Sequence, residues 1–311
     1  MKTQAKNGFL VAIDGSDRSL QTAQYLADIT FFRHQKINLF HVFNKIPESY
    51  YDLSKEPFSL TSASYVRGWE TQQRKNILKH MNHCKELLLA ADFHPKLIDV
   101  KIHNRKIGIA RDIIAEAKKD YRALVLRRRG MGQIQGLIMG SVAFKLINGV
   151  NNIPLMFAAK RPFNHRVLIA IDGSESAMRA VKFAGNLLKD DHCHIKIVSI
   201  LRNEIVLKKI LKKAPEVEES FNHEEKMISD IIEKSRSQLM GLGIAPEAIE
   251  VEIIKDADSR AFAIVQAASS GNFSTIIIGR RGVSRIREFV IGRVSNRILH
   301  LGREFGVWIV P

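Results

Sequence analysis

Short apolar runs alternate with longer amphipathic segments along the whole chain. Runs such as Phe9–Ile13 and Ile37–Phe43 are typical of buried strands, and segments such as Ile107–Ala117, whose apolar residues recur three or four positions apart, are typical of helices. The pattern predicts strands at residues 9–13, 37–43, 97–102, 124–126, 153–158, 167–171, 195–201, 249–254, 276–278 and 307–310. Strands and helices that alternate through short connections indicate an α/β fold with a mostly parallel, doubly wound sheet.

Residues 44–66 interrupt this alternation. They include Pro47, Pro57 and several serine and aromatic residues. We expect a loop there, and an insertion of this length inside an α/β unit often serves as a lid or a contact arm. The next helix is predicted to begin near Glu70.

Two glycine-containing segments repeat one another. Residues 275–300 have an apolar run followed by three glycines, the last of which opens a helix: Gly279, Gly282 and Gly292. Residues 123–147 repeat this arrangement 152 positions earlier, with Gly130 and Gly140 at the second and third places. A strand that leaves the sheet through such a turn offers loop N–H groups and the positive end of a helix dipole to an anion.

A second motif recurs in the same order. The first apolar run of the chain ends at Asp14-Gly15-Ser16, and the run 167–171 ends at Asp172-Gly173-Ser174. The chain therefore contains two copies of one unit, predicted as domains at 1–160 and 165–311, joined by a linker that includes Pro162.

Both motifs follow strands, so they lie at carboxyl ends, where ligands of doubly wound sheets bind. If the first and fourth strands of a copy are neighbours across the switch point, the aspartate and the glycine loop face one pocket. The carboxylate can accept from a base amino group or a ribose hydroxyl, while the loop holds phosphates. The alternative is that the glycines serve turns only and that Asp14 and Asp172 cap helices.

The charge of +16 is unevenly distributed. Up to Lys160 there are 25 basic and 13 acidic residues, which gives +12, and the remaining 23 basic and 19 acidic residues give +4. Such a charge favours anionic partners. Nucleic acid is disfavoured because the sequence has no finger, no aromatic RNA-binding strand pair and no long basic tail.

Several classes are excluded or disfavoured by composition. Cys84 and Cys193 give no disulfide framework, and the cluster Asp191–His194 lacks a second pair of ligands at metal-binding spacing. No apolar run has the roughly 18 residues that a membrane span needs. Because Phe9–Ile13 is also too short for the core of a signal peptide, we expect a cytoplasmic protein.

The Asp-Gly-Ser starts and the Gly-x2-Gly-x9-Gly loop of the second copy resemble the universal stress protein family in its tandem form. The resemblance covers nearly the whole chain. It implies two five-stranded sheets of strand order 3-2-1-4-5 related by a pseudo-twofold, pairing of the fifth strands at 155–157 and 307–310, and binding of ATP or AMP, with or without Mg²⁺. Covering an exposed apolar edge strand favours the same pairing on physical grounds, and a homodimer of chains is a further possibility.

The resemblance also implies binding residues. The adenosine would lie against the carboxylates and the apolar residues beside them: Asp14, Ala12 and Val42 in the first copy, and Asp172, Ala170 and Ile200 in the second. The phosphates would lie against Gly130, Gly140 and Ser141 in the first copy, and against Gly279, Gly282, Gly292 and Ser295 in the second.

Each copy departs from the family loop at one position. Arg127 stands where the first glycine is expected, so its side chain either crowds the ligand or pairs with a phosphate. Arg293 replaces the small hydroxyl residue after Gly292 and either binds the terminal phosphate or fills its space. On glycine spacing alone, the second copy is favoured as the intact site.

Catalytic motifs are missing from the sequence. Neither loop contains Gly-x4-Gly-Lys-Ser/Thr, and Gly130–Gly136 does not have the dinucleotide spacing. His41 is the nearest candidate base, with a packed or hydrogen-bonded histidine as the alternative. The leading hypothesis is a stress-response or regulatory protein that binds ATP or AMP and hydrolyses it slowly or not at all. The alternatives are a nucleotide-independent module whose basic first domain binds an acidic partner, and an ATP pyrophosphatase or adenylyl-transfer enzyme.

Overall fold

The computed structural model describes residues 8–44, 59–128, 139–202, 215–282 and 291–311. The chain forms two compact α/β units. The first comprises residues up to Ala27 together with Phe32–Gly149, and the second comprises Asp28–Phe31 together with Val150–Pro311.

Four parallel strands form the sheet of the first unit: β1 (Phe9–Ala12), β2 (Ile37–Phe43), β3 (Ile98–Asn104) and β4 (Ala123–Leu126). β1 pairs with β2 on one side and with β4 on the other, and β2 pairs with β3. The helices of this unit are α1 (Asp17–Ala27), α2 (Ser59–Ala90), α3 (Ile109–Ala117) and α4 (Ser141–Gly149), with a short 3₁₀ turn at Pro95–Leu97. A further 3₁₀ turn, Thr30–His34, includes residues of both units. β1 and β4 are apolar on both faces and almost wholly buried, which is expected for central parallel strands that are covered on both sides.

The second unit repeats this plan. Its strands are β6 (Arg166–Ala170), β7 (His194–Arg202), β8 (Ile249–Ala257), β9 (Thr275–Gly279) and β10 (Gly306–Val310). β6 pairs with β7 and β9, β7 pairs with β8, and β9 pairs with β10, all in parallel. The helices are α5 (Glu175–Leu188), α6 (Pro215–Gly241), α7 (Arg260–Ser270) and α8 (Arg293–Leu301), with a 3₁₀ turn at Pro246–Ala248. The predicted α/β class with a mostly parallel sheet is confirmed in both units.

The second unit resumes at Val150, before its first long strand β6. The strand β5 (Leu155–Phe157) pairs antiparallel with β10, with Val307 opposite Phe157 and Trp308 opposite Met156. All of these side chains are fully buried. Two apolar edges therefore cover each other, as predicted, and this pairing assigns Leu155–Phe157 to the second unit.

The helix α2 begins at Ser59, eleven residues before the predicted start at Glu70. The prediction of a loop over 44–66 was therefore wrong for residues 59–66, and residues 45–58 lie outside the described part of the chain. Tyr65 is 81% exposed, so this end of the helix has no buried apolar stripe at that position. Without such a stripe, helical periodicity cannot be recognised in the sequence.

No helix within the described ranges is long and apolar enough to cross a membrane.

A buried carboxylate joins three elements of the first unit. Glu116 on α3 accepts hydrogen bonds from Lys101 Nζ at 3.0 Å, Lys119 Nζ at 2.9 Å and Tyr121 Oη at 3.0 Å. Burial acts to raise the pKa of Glu116, but hydrogen bonds from Lys119, Lys101 and Tyr121 outweigh it, and the pKa is lowered. The ionised carboxylate is therefore the form that the fold stabilises.

We expect Glu116→Gln to flatten the acid dependence of stability. A carboxylate whose pKa is lowered by folding contributes stability above its unfolded pKa, and this contribution is lost as the pH falls through the folded value. The free energy of unfolding of the wild type, measured by urea titration between pH 3 and pH 7, should fall more steeply below about pH 4.5 than that of the variant. Glu86→Gln, at an exposed position on α2, is the control and should keep the wild-type slope. Equal slopes for Glu116→Gln and the wild type would contradict the assignment.

Candidate functional site

The turn after β1 is built on Asp14. Its Oδ1 accepts hydrogen bonds from Ser16 N at 3.1 Å and from Ser16 Oγ at 2.7 Å. Gly15 has a φ of 83°, which side chains rarely adopt, and a Cβ there would lie 2.4 Å from Ile77 Cδ1. The turn therefore requires glycine and directs the carboxylate of Asp14 along the carboxyl end of the strand.

The other carboxylate oxygen, Asp14 Oδ2, is buried and accepts no hydrogen bond from the residues that the structure describes. An unsatisfied buried acceptor costs about 1–3 kcal/mol, and such atoms are often completed by a ligand or a water.

Asp14 lies on the wall of a cavity of about 560 Å³ in the first unit, a volume within the range of small-molecule sites. Its wall is made by the ends of β1, β2 and β4, by α2 and α3, and by the start of α4. The lining is largely apolar and includes Ala12, Val42, Trp69, Ile77, Ile113 and Met139, and its polar members include Ser19, His41, Arg127, Arg128, Gly140 and Ser141. The adjacency of β1 and β4 thus brings Asp14, Arg127 and Gly140 to one cavity.

A hydrogen bond to the backbone of Ile13, just after β1, holds the ring of His41 in the wall. Its Nδ1 lies 2.8 Å from the carbonyl oxygen of Ile13, so Nδ1–H donates to that oxygen and Nε2 keeps its lone pair. Burial lowers the pKa of His41 despite the opposing carbonyl and the nearby Asp14. The hydrogen-bonded histidine considered as an alternative is what the structure contains, and the ring is neutral at pH 7.

Arg127 follows β4 and lines the same cavity. Its Nη1 is buried and makes no hydrogen bond within the described ranges. Burial and the charge of Arg18 lower the pKa of Arg127, while Asp14 acts in the opposite direction. Arg127 Nη1, a cationic donor, and Asp14 Oδ2, an anionic acceptor, therefore lie in the wall of one cavity without a hydrogen bond to the described residues.

The corresponding place in the second unit is packed differently. Asp172 Oδ1 accepts from Ser174 N at 3.1 Å, as Asp14 does from Ser16. A Cβ added to Gly282 would lie 2.4 Å from Asp172 Oδ2, so the backbone of the loop stands directly against the carboxylate. Ser174 Oγ donates to the carbonyl oxygen of Arg281 at 3.1 Å, and Ser176 Oγ bonds to the same oxygen. The loop of the second unit is tied to the start of α5.

The remaining loop residues of the second unit also have packing roles. A Cβ at Gly279 would lie 2.5 Å from Ser176 Oγ and 2.7 Å from Ala177 N. Gly292 N donates to the carbonyl oxygen of Arg280 at 2.8 Å, and the buried Ser295 Oγ donates to that of Gly279 at 2.9 Å. Arg293 is exposed at the start of α8. These contacts join the loop, the sheet and α8.

The structure brings some of the predicted site residues together at the cavity. Four of the predicted residues line the cavity together with Asp14: Ala12, Val42, Gly140 and Ser141. Ala170 and Ile200 are buried at the equivalent positions of the second unit, and Gly130 lies outside the described residues. Sequence reasoning did not assign Trp69 and Ile77 on α2 to the site, since their apolar character is shared by other residues of the same helix.

The described residues contain no group of three or more His, Cys, Asp or Glu side chains that could hold a metal ion. The segment 191–194 is structural. Asp191 is buried and accepts from Thr30 N at 2.6 Å, and His194 Nε2 lies 3.0 Å from Glu250 Oε2. Burial raises the pKa of the Cys193 thiol to about 12.

Two repeated α/β units, each with an aspartate turn after its first strand and with its fourth strand beside the first, define a tandem protein of the doubly wound class. The model of the universal stress protein family matches residues 8–156 and again residues 164–304. The chain therefore belongs to the universal stress protein family, in a tandem two-domain form.

Relatives support the same assignment. The universal stress protein YxiE of Bacillus subtilis is 27% identical over 142 residues, which cover 44% of this chain and 93% of that protein. A universal stress protein from Archaeoglobus fulgidus is 19% identical, with a TM-score of 0.59 over 99% of both chains. A universal stress protein from Pseudomonas aeruginosa is 15% identical, with a TM-score of 0.57 over 99% of this chain and 94% of the other. At these identities the solved structures establish the fold.

We expect Gly279→Ala to destabilise the protein by about 1–3 kcal/mol, because the new methyl group would overlap the start of α5. The free energy of unfolding from urea titration measures this effect. Gly241→Ala is the matched control, since a Cβ there meets nothing within 4 Å, and its change should stay within about 0.5 kcal/mol. Equal stability of the two variants would show that Gly279 is not needed for packing.

Proposed function

We propose that the protein binds an adenine nucleotide, ATP or AMP, in the cavity of the first unit. The observation that carries this proposal is the buried, free Oδ2 of Asp14 beside the start of α4 in a cavity of about 560 Å³. A free carboxylate oxygen accepts from a ribose hydroxyl or a base amino group, and the start of a helix attracts phosphate.

The residues present fit such a ligand. The apolar part of the wall, with Val42, Ile77 and Trp69, suits the faces of a base or sugar. Gly140 precedes α4, and its N–H donates to the carbonyl oxygen of Arg128 at 2.8 Å. Ser141 begins the helix, and the N–H groups of this first turn have no intrahelical acceptor. A nucleotide bound here supplies the donor that Asp14 Oδ2 lacks and the anion that the helix start attracts.

The first unit is preferred over the second for a steric reason. In the second unit Gly282 stands against Asp172, and Arg281 is bonded to Ser174 and Ser176, so binding there requires the loop to leave the carboxylate. Glycine spacing in the sequence favours the second copy, whereas the packing of the described residues supports the first. The residues of the second copy are proposed as a site only in an opened state of its loop.

We also propose that the role of the bound nucleotide is regulatory, in a cytoplasmic stress response, and that any hydrolysis is slow. Among the described residues of the wall, Asp14 is the only carboxylate, and His41 is bonded to a backbone carbonyl. Nucleotide binding would stabilise the first unit and so change the surface that it presents to a partner or to a second chain.

Binding is tested by the shift of the thermal melting midpoint with adenosine, AMP and ATP, with and without Mg²⁺. A ligand at one hundred times its Kd adds about 2.7 kcal/mol of stability. Asp14→Asn keeps an oxygen for Ser16 but replaces the free acceptor by a donor, so we expect it to weaken binding of all three ligands by about tenfold to hundredfold. Asp172→Asn is the matched control and should bind as the wild type does.

Two outcomes would contradict this proposal in different ways. Loss of binding in Asp172→Asn alone would place the site in the second unit. No shift with any ligand for the wild type would reject nucleotide binding and favour the hypothesis that the basic first domain binds an acidic partner.

Turnover of labelled ATP tests the proposed absence of fast catalysis. We expect a rate far below the roughly 10 s⁻¹ that is the median of enzymes. A rate of that order, abolished in His41→Gln, would instead favour the pyrophosphatase or adenylyl-transfer hypothesis. Retained binding of ATP in the same variant would show that the loss concerned chemistry alone.

A further inference from the structure

Arg127 is the residue that most distinguishes the two copies. Because Gly140 and Gly292 are equivalent, Arg127 is equivalent to Gly279. In the second unit this position has no room for a side chain, since a Cβ would meet Ser176 Oγ at 2.5 Å and the backbone of Ala177 at 2.7 Å. In the first unit the same position carries a full arginine side chain that lines the cavity. The first copy has therefore replaced a backbone contact by a guanidinium group.

The guanidinium lacks the partner that its burial requires. Arg127 Nη1 is shielded from solvent and donates to no acceptor in the described part of the chain. Arginine remains protonated, so Nη1 is a charged donor without an acceptor, and the nearby charges of Arg18 and Asp14 act on the pKa of Arg127 in opposite directions. Asp14 Oδ2 lines the same cavity and is likewise without a hydrogen bond, so the two groups do not satisfy each other.

Asp14 Oδ2 and Arg127 Nη1 would both be satisfied by a ligand with a donor at one end and an acceptor at the other. The end at Asp14 must donate, as a hydroxyl or amino group does, and the end at Arg127 must be an anionic acceptor. The first N–H groups of α4, near Gly140 and Ser141, favour negative charge on the same ligand. The largely apolar lining of the cavity suits a ring system.

We propose that Arg127 binds the phosphate nearest the ribose of a nucleotide in the first unit, so that this cavity selects nucleoside monophosphates over nucleosides. The inference rests on the proposed nucleotide binding and adds the group that confers specificity. Because Nη1 is buried within the wall and not at the surface, its partner is a phosphate close to the sugar that Asp14 holds. Phosphates further along the chain contribute little at this residue.

The test compares the affinities of adenosine, AMP and ATP by isothermal titration calorimetry on the full chain. For the wild type we expect AMP to bind about tenfold to hundredfold more tightly than adenosine. In Arg127→Gln we expect AMP and ATP to lose this factor equally, while the Kd of adenosine stays unchanged. Arg127→Lys keeps a charge without the planar fork and should recover part of the preference for AMP.

Arg111→Gln is the matched control, since it removes one positive charge from an exposed position on α3. It should leave all three affinities as in the wild type. Unchanged adenosine binding also shows that each Arg127 variant is folded at the site.

The results separate this inference from the proposed function. If the wild type binds AMP and Arg127→Gln binds it equally well, Arg127 is not the phosphate ligand, although nucleotide binding stands. If only ATP is weakened, Arg127 contacts a distal phosphate and the inference is wrong. If the wild type binds none of the three ligands, nucleotide binding itself fails.

Discussion

The parallel pairing of the first strand with its fourth strand is the constraint on which the site of each unit depends. β1 pairs with β4, and β6 pairs with β9. Parallel neighbours end at the same edge of the sheet, so residues that are more than one hundred positions apart in the sequence become neighbours in space. For this reason Asp14 lines one cavity with Arg127 and Gly140, and Asp172 lies against Gly282.

The two copies use the same topology with opposite consequences for packing. In the second unit the small residues Gly279 and Gly282 let the loop approach α5 and the carboxylate of Asp172 closely. In the first unit Arg127 stands at the position of Gly279, and the ends of the strands border a cavity with unpaired polar atoms. Duplicated domains can in this way keep one fold while the loop packs against the aspartate in the second copy and the strand ends border a cavity in the first. Arg127 in place of Gly279 marks the difference.

Much of the fold could be predicted from the sequence, because it depends on local patterns. The apolar runs identified the strands, and the repeated Asp-Gly-Ser turn and glycine spacing identified the two copies. The pairing of Leu155–Phe157 with β10 followed from the need to cover two apolar edges. The pKa of Glu116 and the early start of α2 at Ser59 could not be predicted, since both depend on which distant side chains surround them.

The site was predicted less completely for the same reason. The sequence indicates that Asp14 and the loop after β4 face one pocket, but contacts from α2 through Trp69 and Ile77 are tertiary. Glycine spacing favours the second copy because its three glycines would allow a ligand to lie close to the backbone. The spacing does not reveal that these glycines lie against residues of the protein itself. The distances show that Gly279 lies against the start of α5 and Gly282 against Asp172.

The most direct test of the central claim is a crystal structure of the protein grown with AMP. We expect electron density for one nucleotide in the first unit, with a ribose or base donor on Asp14 Oδ2 and the phosphate on Arg127 and the start of α4. Density at Asp172 with the Gly282 loop displaced, or none in either unit at a saturating concentration, would contradict it.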